Sequence, residues 1–342
     1  MNINDFKARL KSGELGGWYI FAGEEEYLKR YYLSELRAAV ITDEASAPFN
    51  HLIFDGPELD IGAISEAIKS PPMFSEYKLI EWRYADLEHS KESLRAALDA
   101  LCAEKDNYPE AILALLLTED GFDAGTQKRP GKLATRYSGA FDILNFPKST
   151  ESQLLSWLKK HFDAEGISIT SSVLNALLWR CGHGMDVLRS EVSKLSAFAK
   201  AGGKSEITSE DVALVCSPSP ESDAFALSNS IIERNKEAAF AALADMKLRR
   251  IEPIAVLGML AKVYSELASV SQLLDEGLGA KDIAAALSMG EYKVKLYIGA
   301  ARKYGTRRLA ATLSEINRRD AAMKSGGSTG FGVIEMFIAR AI

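Results

Sequence analysis

The sequence is poor in the residues that build metal sites and disulfide frameworks. Three of its 342 residues are cysteines, none in a C-x-x-C pair, and its four histidines show no ligand spacing. This pattern argues against a disulfide framework and against a zinc site. We therefore expect reduced, buried and inert thiols at Cys102, Cys181 and Cys216. No cofactor and no catalytic constellation are predicted.

Long apolar runs are also missing. No stretch of about 18 uncharged apolar residues occurs, and the N-terminal residues lack the apolar core that a signal peptide needs. We therefore expect a cytoplasmic protein with no membrane partner.

The chain has no overall excess of positive charge. Its formal net charge of -6 argues against a protein that coats nucleic acid over its whole surface. The distribution is uneven, because residues 291–324 contain nine Lys or Arg and three acids, a local charge of +6. A DNA contact, if present, is predicted in this segment.

A phosphate loop is absent where a nucleotide-binding protein of this pattern would have one. Such a loop needs G-x-x-x-x-G-K-[ST], because glycine backbone N–H groups surround the phosphates and the lysine neutralises them. Here the first predicted strand is followed by Gly23, Glu24, Glu25 and Glu26. Three consecutive carboxylates would repel a triphosphate, so this turn is predicted not to bind ATP.

The first 146 residues alternate short apolar runs with amphipathic helical patterns. This alternation is typical of a parallel sheet covered by helices on both faces. Five strands are predicted, at 18–22, 51–54, 78–82, 111–117 and 141–146.

The rest of the chain is predicted to be helical. Residues 147–215 contain four amphipathic patterns, the last opened by Thr208 and Asp211 at the spacing of a capping box. Residues 216–223 contain two prolines and three serines, which favours a linker. Residues 224–342 contain only helical patterns. The sequence thus favours an α/β domain followed by two all-α domains.

Several segments resemble a known family when they are taken together. They include the strand and turn at 18–28, the run PMFSEYKLI at 72–80, the helix at 184–195 and the D-x-x-x-K pattern at 320–324. Their order and spacing resemble the delta subunits of the bacterial DNA polymerase III clamp loader over nearly the whole chain.

This resemblance implies three domains. They are an AAA+-like (RecA-like) parallel-sheet core without a functional phosphate loop at 1–146, a small helical lid at 147–215 and a C-terminal helical collar at 216–342. It also implies a subunit that hydrolyses no nucleotide itself within the DNA-directed DNA polymerase III complex in the bacterial cytoplasm. The implied partners are the beta sliding clamp, the delta prime and tau/gamma subunits, and primer-template DNA. The implied role is to bind and open the clamp for loading onto primed DNA.

Met73 and Phe74 match the family's pair of hydrophobic residues that insert into a pocket on the clamp. Locally, Ser70, Pro71 and Pro72 must stop the preceding helix, and the next strand begins near Lys78. This spacing favours a short exposed connector that offers both side chains to a partner. The alternative is that the pair packs under the edge of the sheet.

The basic segment has two interpretations. The candidate DNA contacts are Lys293, Lys295, Arg302, Lys303, Arg307 and Arg308. Tyr292, Tyr297 and Tyr304 lie among them, and a surface that binds phosphates and stacks on bases needs this combination. Equally, the tyrosines could form the collar core and the cations a solvated face.

Two other functional classes compete with the loader interpretation. The segment 280–290 followed by a basic helix is similar to a helix-turn-helix, which would make the chain a DNA-binding regulator. An active AAA+ ATPase is the second alternative, and the missing phosphate loop argues against it.

Overall fold

The computed structural model describes residues 1–57, 60–126, 128–325 and 330–342, and the chain divides into two units, Met1–Ser149 and Thr150–Ile342. The elements of the first unit are α1 (Ile3–Ser12), β1 (Trp18–Ala22), α2 (Glu26–Val40), α3 (Ala47–Asn50), β2 (His51–Asp55), α4 (Ile61–Lys69), β3 (Lys78–Ala85), α5 (Glu92–Ala103), a 3-10 turn (Lys105–Asn107), β4 (Ala111–Leu117), β5 (Gly125–Thr126), β6 (Arg129–Pro130), α6 (Lys132–Tyr137) and β7 (Phe141–Asn145).

The sheet of the first unit is parallel and buried on both faces. Its strand order is β2-β3-β4-β1-β7, with β2 and β7 at the edges. Strand β1 is buried on both faces, because the side chains of Trp18 and Ile20 pack into one core while those of Tyr19 and Phe21 pack into the core on the other face. All five predicted strands are present, and the predicted class, a parallel α/β sheet with added helical parts, is confirmed.

The second unit is mainly helical in the residues that the structure describes. Its elements are α7 (Glu151–Ala164), β8 (Ser168–Ile169), α8 (Ser171–Cys181), α9 (Met185–Ala201), β9 (Glu206–Ile207), α10 (Ser209–Val215), α11 (Pro220–Ile232), α12 (Lys236–Leu248), α13 (Pro253–Asp275), α14 (Ala280–Leu287), α15 (Glu291–Tyr304), α16 (Thr306–Lys324) and α17 (Gly332–Ala341). The predicted capping box at α10 is present, with the Thr208 side chain accepting from Asp211 N–H.

The predicted linker at 216–223 is wrong in its second half. Helix α11 begins at Pro220, because proline is tolerated at the first helical position, and the Ser219 side chain caps it by accepting from Ser222 N–H. The connection between α10 and α11 is therefore only a few residues long. Contacts group residues 150–342 into one unit, and the separate lid at 147–215 and collar at 216–342 stay a prediction.

One helix of the described chain, Pro253–Asp275, could cross a membrane by length and composition. A core helix of a soluble protein passes the same test. In α13, Leu257, Leu260 and Tyr264 are fully buried in the core of the second unit, and the helix packs on α11, α15 and α16. Its apolar composition is therefore explained by the protein's own core.

A buried carboxylate joins helix α2 to two strands of the sheet. The fully buried Glu81 of β3 accepts two hydrogen bonds from Arg37 of α2, at 2.7 and 2.9 Å. His51 Nε2 lies 2.8 Å from Glu81 Oε1, and Arg83 Nε donates to Oε2 at 2.8 Å. Burial alone would raise the pKa of Glu81, but these hydrogen bonds outweigh it and hold the pKa at about 2.

Replacing this carboxylate should destabilise the first unit. We expect Glu81→Gln to lower the free energy of unfolding at neutral pH by about 3 kcal/mol, because Arg37 and Arg83 lose their anion. The pKa of Glu81 is lower in the folded chain than in the unfolded chain. The stabilisation by its ionised carboxylate is therefore present above about pH 4.5 and is lost as the pH falls toward about 2. Urea unfolding at neutral pH and near pH 3 should show the difference between the two proteins narrowing in acid.

The matched control for this test is Glu92→Gln. Glu92 is an exposed carboxylate paired with Arg136, and its replacement should leave the unfolding midpoint nearly unchanged at both pH values. The ionised network would be contradicted if the difference in free energy of unfolding between wild type and Glu81→Gln were the same at neutral and acid pH.

Candidate functional site

The connector between α4 and β3 presents an exposed hydrophobic pair. Helix α4 ends at Lys69, where Ser70 turns extended ahead of Pro71 and Pro72. Met73 is 43% exposed and Phe74 is 95% exposed. Phe74 is the most exposed large hydrophobic side chain in the described part of the chain. The alternative that both residues pack under the sheet edge does not fit this geometry.

Asn50, the last residue of α3, holds the connector by its backbone. Its fully buried side chain accepts from Met73 N–H at 2.8 Å and donates through Nδ2 to the Met73 carbonyl at 2.7 Å. Such a pair of bonds satisfies one donor and one acceptor of a backbone that no strand ladder pairs. The position of Met73 is therefore fixed relative to the edge strand β2.

Lys78 holds the other side of the connector. Its ammonium group is buried and donates to Ser70 Oγ at 2.8 Å and to the carbonyl of Ala67 in the last turn of α4. Burial lowers the pKa of Lys78. A cation at the C-terminal end of a helix is favourable because free carbonyls lie there. The end of α4 and the start of β3 are thereby joined.

Phe74 adopts a backbone conformation that is rare for its residue type. Its φ is +57°, in the left-handed region, where side chains other than glycine, asparagine and aspartate are uncommon. A strained residue of this kind persists only where its neighbours over-determine it. The bonds from Asn50 constrain Met73, the residue immediately before Phe74.

A second candidate feature is the cleft at the degenerate phosphate-loop position. It has a volume of about 360 Å³. All the charged residues of its lining are acidic, and they are Glu24, Glu88, Glu119, Asp120 and Asp123. The field in the cleft is therefore unfavourable for a phosphate group.

The turn below this cleft is closed by its own backbone. Gly23 has φ +101°, and a Cβ there would lie 2.4 Å from the carbonyl oxygen of Phe146, so only glycine fits. Glu25 Oε2 accepts from Ser149 N–H at 3.3 Å. Glu26 forms an ion pair with the buried Lys29 at 2.6 Å, and Lys29 also donates to a strand carbonyl. The predicted turn residues thus have local structural partners.

The basic segment in the second unit differs in part from expectation. Tyr297 and Tyr304 are buried in the helical core, and Tyr297 stacks on Phe225 with ring centroids 4.8 Å apart. Burial raises the pKa of Tyr297. These two tyrosines therefore cannot stack on bases. The side chain of Lys293 is only 16% exposed and pairs with Glu221 at 2.6 Å and Glu266 at 2.8 Å, so we remove it from the candidate DNA contacts.

The other candidate cations lie on the surface of α15 and α16. Lys303 pairs with Glu233 at 2.6 Å, and the Arg308 guanidinium lies over the Tyr304 ring at 4.5 Å. Lys295, Arg302 and Arg307 are exposed, and none is in an ion pair with another described residue. These three residues are the cations with the greatest freedom to meet an external anion.

Two of the three cysteines lie together, although they are 35 positions apart in the sequence. Cys181 and Cys216 are both buried beside Glu191. A hydrogen bond with Cys181, together with burial, raises the pKa of Cys216, and burial raises the pKa of Cys102 to about 12. The Cys216 and Cys102 thiols are therefore poor nucleophiles at neutral pH. The sequence argument against metal binding considered only local spacing and missed this cluster.

The sequence did not reveal how the hydrophobic pair is held. Asn50 is 23 positions from Met73, and no local pattern marks it as a partner. Lys78 looks like an ordinary exposed lysine at the start of a strand. A buried charge with a helix carbonyl as partner can be found only when the packing of α4 against β3 is known.

Two family models match this chain, one in its N-terminal part and one in its C-terminal part. A model described as "DNA polymerase III, delta subunit" matches residues 19–136, which contain the hydrophobic pair. A second model, "DNA polymerase III delta subunit, C-terminal domain", matches residues 221–341. Together the two models span well over half of the chain.

Individual relatives agree with these family models along nearly the full length. The DNA polymerase III subunit delta of Bacillus subtilis is 23% identical over 343 residues, covering 99% of this chain and 96% of the relative. A probable DNA polymerase III subunit delta of Aquifex aeolicus is 24% identical and covers 87% and 84%. The solved structure of the Bacillus subtilis DNA clamp loader delta protein is similar in fold, with a TM-score of 0.59, 21% identity and coverage of 99% and 98%. The chain belongs to the DNA polymerase III delta subunit family.

Proposed function

We propose that the chain binds and opens the beta sliding clamp, and that Met73 and Phe74 form the anchor of that contact. The exposure of Phe74 carries the proposal. An aromatic ring that is 95% exposed gains nothing from its own core, and a large apolar side chain on a rigid support is the usual centre of a protein interface. The family match supports the same assignment.

The rigidity of the connector favours tight binding. Ordering a loop on association reduces affinity, and a loop that is already ordered avoids that loss. Here Asn50 fixes Met73, and Lys78 fixes the residues before it. The anchor is therefore presented in one conformation before the clamp arrives.

Opening of the clamp requires more than binding. A ligand changes a conformational equilibrium only through its different affinity for the two states. We infer that the pair binds better to a clamp pocket in the open form. The further proposed partners are the delta prime and tau/gamma subunits, in a cytoplasmic, ATP-driven ring that loads clamps onto primer-template DNA. The regulator alternative has no comparable support from the family.

The first test of the proposal measures the clamp contact. By surface plasmon resonance against the organism's own clamp, Met73→Ala and Phe74→Ala should each weaken binding by about 2 kcal/mol or more. A loss of about 1.4 kcal/mol is already tenfold in affinity. The double variant should barely bind, and Phe74→Leu should lie between wild type and Phe74→Ala.

Two further variants sharpen this test. Tyr84→Ala removes another exposed aromatic, 61% exposed at the far end of β3, and should bind normally. Asn50→Ala should weaken binding in the wild-type background and add little in the Phe74→Ala background, because it acts through the connector. Equal affinity of all correctly folded variants, checked by circular dichroism melts, would move the clamp contact elsewhere.

We also propose that the chain alone neither binds nor hydrolyses ATP. The acidic lining of the cleft and the closed turn at Gly23 support this. A phosphate site at a strand-to-helix turn needs several free backbone N–H groups and a cation. At this turn Lys29 is buried and engaged with Glu26 and a strand carbonyl.

Titration calorimetry tests this expectation directly. The pure chain with ATP and magnesium should give no heat of binding, whereas an ATPase subunit of the same loader should give a saturating signal under identical conditions. Micromolar affinity or steady turnover by the pure chain would revive the ATPase alternative.

We propose that the exposed cations of α15 and α16 contact primer-template DNA when the subunit is part of the ring. Lys295, Arg302 and Arg307 are the residues that the geometry leaves available. The rest of the chain is strongly acidic, which opposes DNA binding by the isolated protein.

Charge reversal tests the DNA contact. Arg302→Glu or Arg307→Glu in the assembled loader should weaken DNA binding, and more strongly at low salt than at high salt, because phosphate contacts release counterions. Lys236→Glu, a reversal at an exposed position at the start of α12, is the control for net charge. Clamp loading that responds equally to all three reversals would mean that this face is only solvated.

A further inference from the structure

Cys181, Glu191 and Cys216 form a buried cluster that the proposed function does not use. One ligating atom of each lies within 4.8 Å of the others, and all three residues are buried. The residues come from three different elements: Cys181 ends α8, Glu191 lies within α9, and Cys216 directly follows α10. The cluster is thus built by the tertiary fold.

The carboxylate in this cluster is buried and is compensated by a lysine. Glu191 is 4% exposed, and its buried Oε2 has no hydrogen-bond donor. Lys194 Nζ lies 2.7 Å from that oxygen, so it compensates the charge as an ion pair without the alignment of a hydrogen bond. The carboxylate therefore faces a cation on one side and the two thiols on the other.

The dimensions of the cluster fit a small thiophilic cation. Zinc takes thiolate sulfur at about 2.3 Å and carboxylate oxygen at about 2.1 Å, which places tetrahedral ligands about 3.5 to 3.8 Å apart. Ligands now within 4.8 Å of one another would need only small side-chain shifts to reach this spacing. Hard cations such as magnesium and calcium prefer oxygen ligands and are disfavoured by the two sulfurs.

Charge also permits the site to be buried. With both thiols deprotonated, the cluster has two thiolates and one carboxylate, and a divalent cation with Lys194 brings the total to zero. In the metal-free chain, Lys194 forms an ion pair with Glu191. A divalent cation bound to the deprotonated thiols therefore leaves the cluster with no net charge inside the protein.

We propose that Cys181, Glu191 and Cys216 bind a thiophilic divalent cation of the zinc class, with a fourth coordination position left for water. The bound ion would join the ends of α8 and α10 to α9. It would also fix the start of the short connection to α11, where the Cys216 carbonyl accepts from Arg180 Nε at 2.8 Å. The chain would thus gain a stabilising link immediately before its last 120 or so residues.

The test uses the full-length, reduced and chelator-treated chain and titrates it with Co²⁺ as a spectroscopic probe. One equivalent should produce a thiolate-to-cobalt charge-transfer band and the visible bands of a tetrahedral site, and Zn²⁺ should displace it. Zn²⁺ should also raise the thermal midpoint of the same protein. Absence of a charge-transfer band in the wild-type chain would overturn the proposal, whatever the variants do.

Variants then assign the ligands. Replacing a residue that only hydrogen-bonds to a metal ligand weakens metal binding by about 10- to 100-fold. Replacing a ligand itself should cost more, so Cys181→Ser or Cys216→Ser should weaken metal binding by about 100-fold or more. Glu191→Gln should weaken binding but keep the sulfur band. Cys102→Ser, which removes the cysteine of the other unit, should change nothing. A sulfur band that survives in folded Cys216→Ser, or is lost in Cys102→Ser, would place the metal elsewhere.

Discussion

The buried carboxylate of Glu81 is the interaction on which the candidate clamp site depends. It joins α2, β2 and β3 through charge-assisted hydrogen bonds, which are stronger than neutral ones. Strand β2 has only one neighbour in the sheet, so its position depends on such side-chain contacts as well as on the ladder with β3. Asn50 immediately precedes β2 and fixes Met73. A chain of direct contacts therefore links a core charge to an exposed aromatic ring.

Much of the fold could be predicted from local sequence patterns. The strand at Trp18–Ala22 is a short apolar run between turns, and the helix breaks near Pro253 and Gly290 follow from residues that end or begin helices. The linker prediction failed at Pro220, because proline disrupts helix interiors but suits the first helical position. Composition alone does not distinguish these two positions. The helix cap at Ser219 becomes evident only with the structure.

The candidate site could be predicted only in part. Two prolines before Met73 were enough to predict a connector outside the helix, and the connector is indeed exposed. Its supports, Asn50 and Lys78, are long-range contacts with no sequence signature. For the same reason, the sequence leaves Tyr297 open for base stacking and gives no sign that Cys181 and Cys216 are neighbours. Side-chain environment depends on tertiary packing, which residue spacing does not encode.

The prolines beside the hydrophobic pair have a consequence for the solubility of the free subunit. A permanently exposed phenylalanine near an unpaired sheet edge is a hazard, because extended apolar segments add to such edges and aggregate. Pro71 and Pro72 lack the backbone N–H groups that an intermolecular ladder needs, and the left-handed backbone of Phe74 interrupts a regular strand ladder. The residues that end α4 therefore also act as gatekeepers, which let the protein display an aromatic ring without offering a template for self-association.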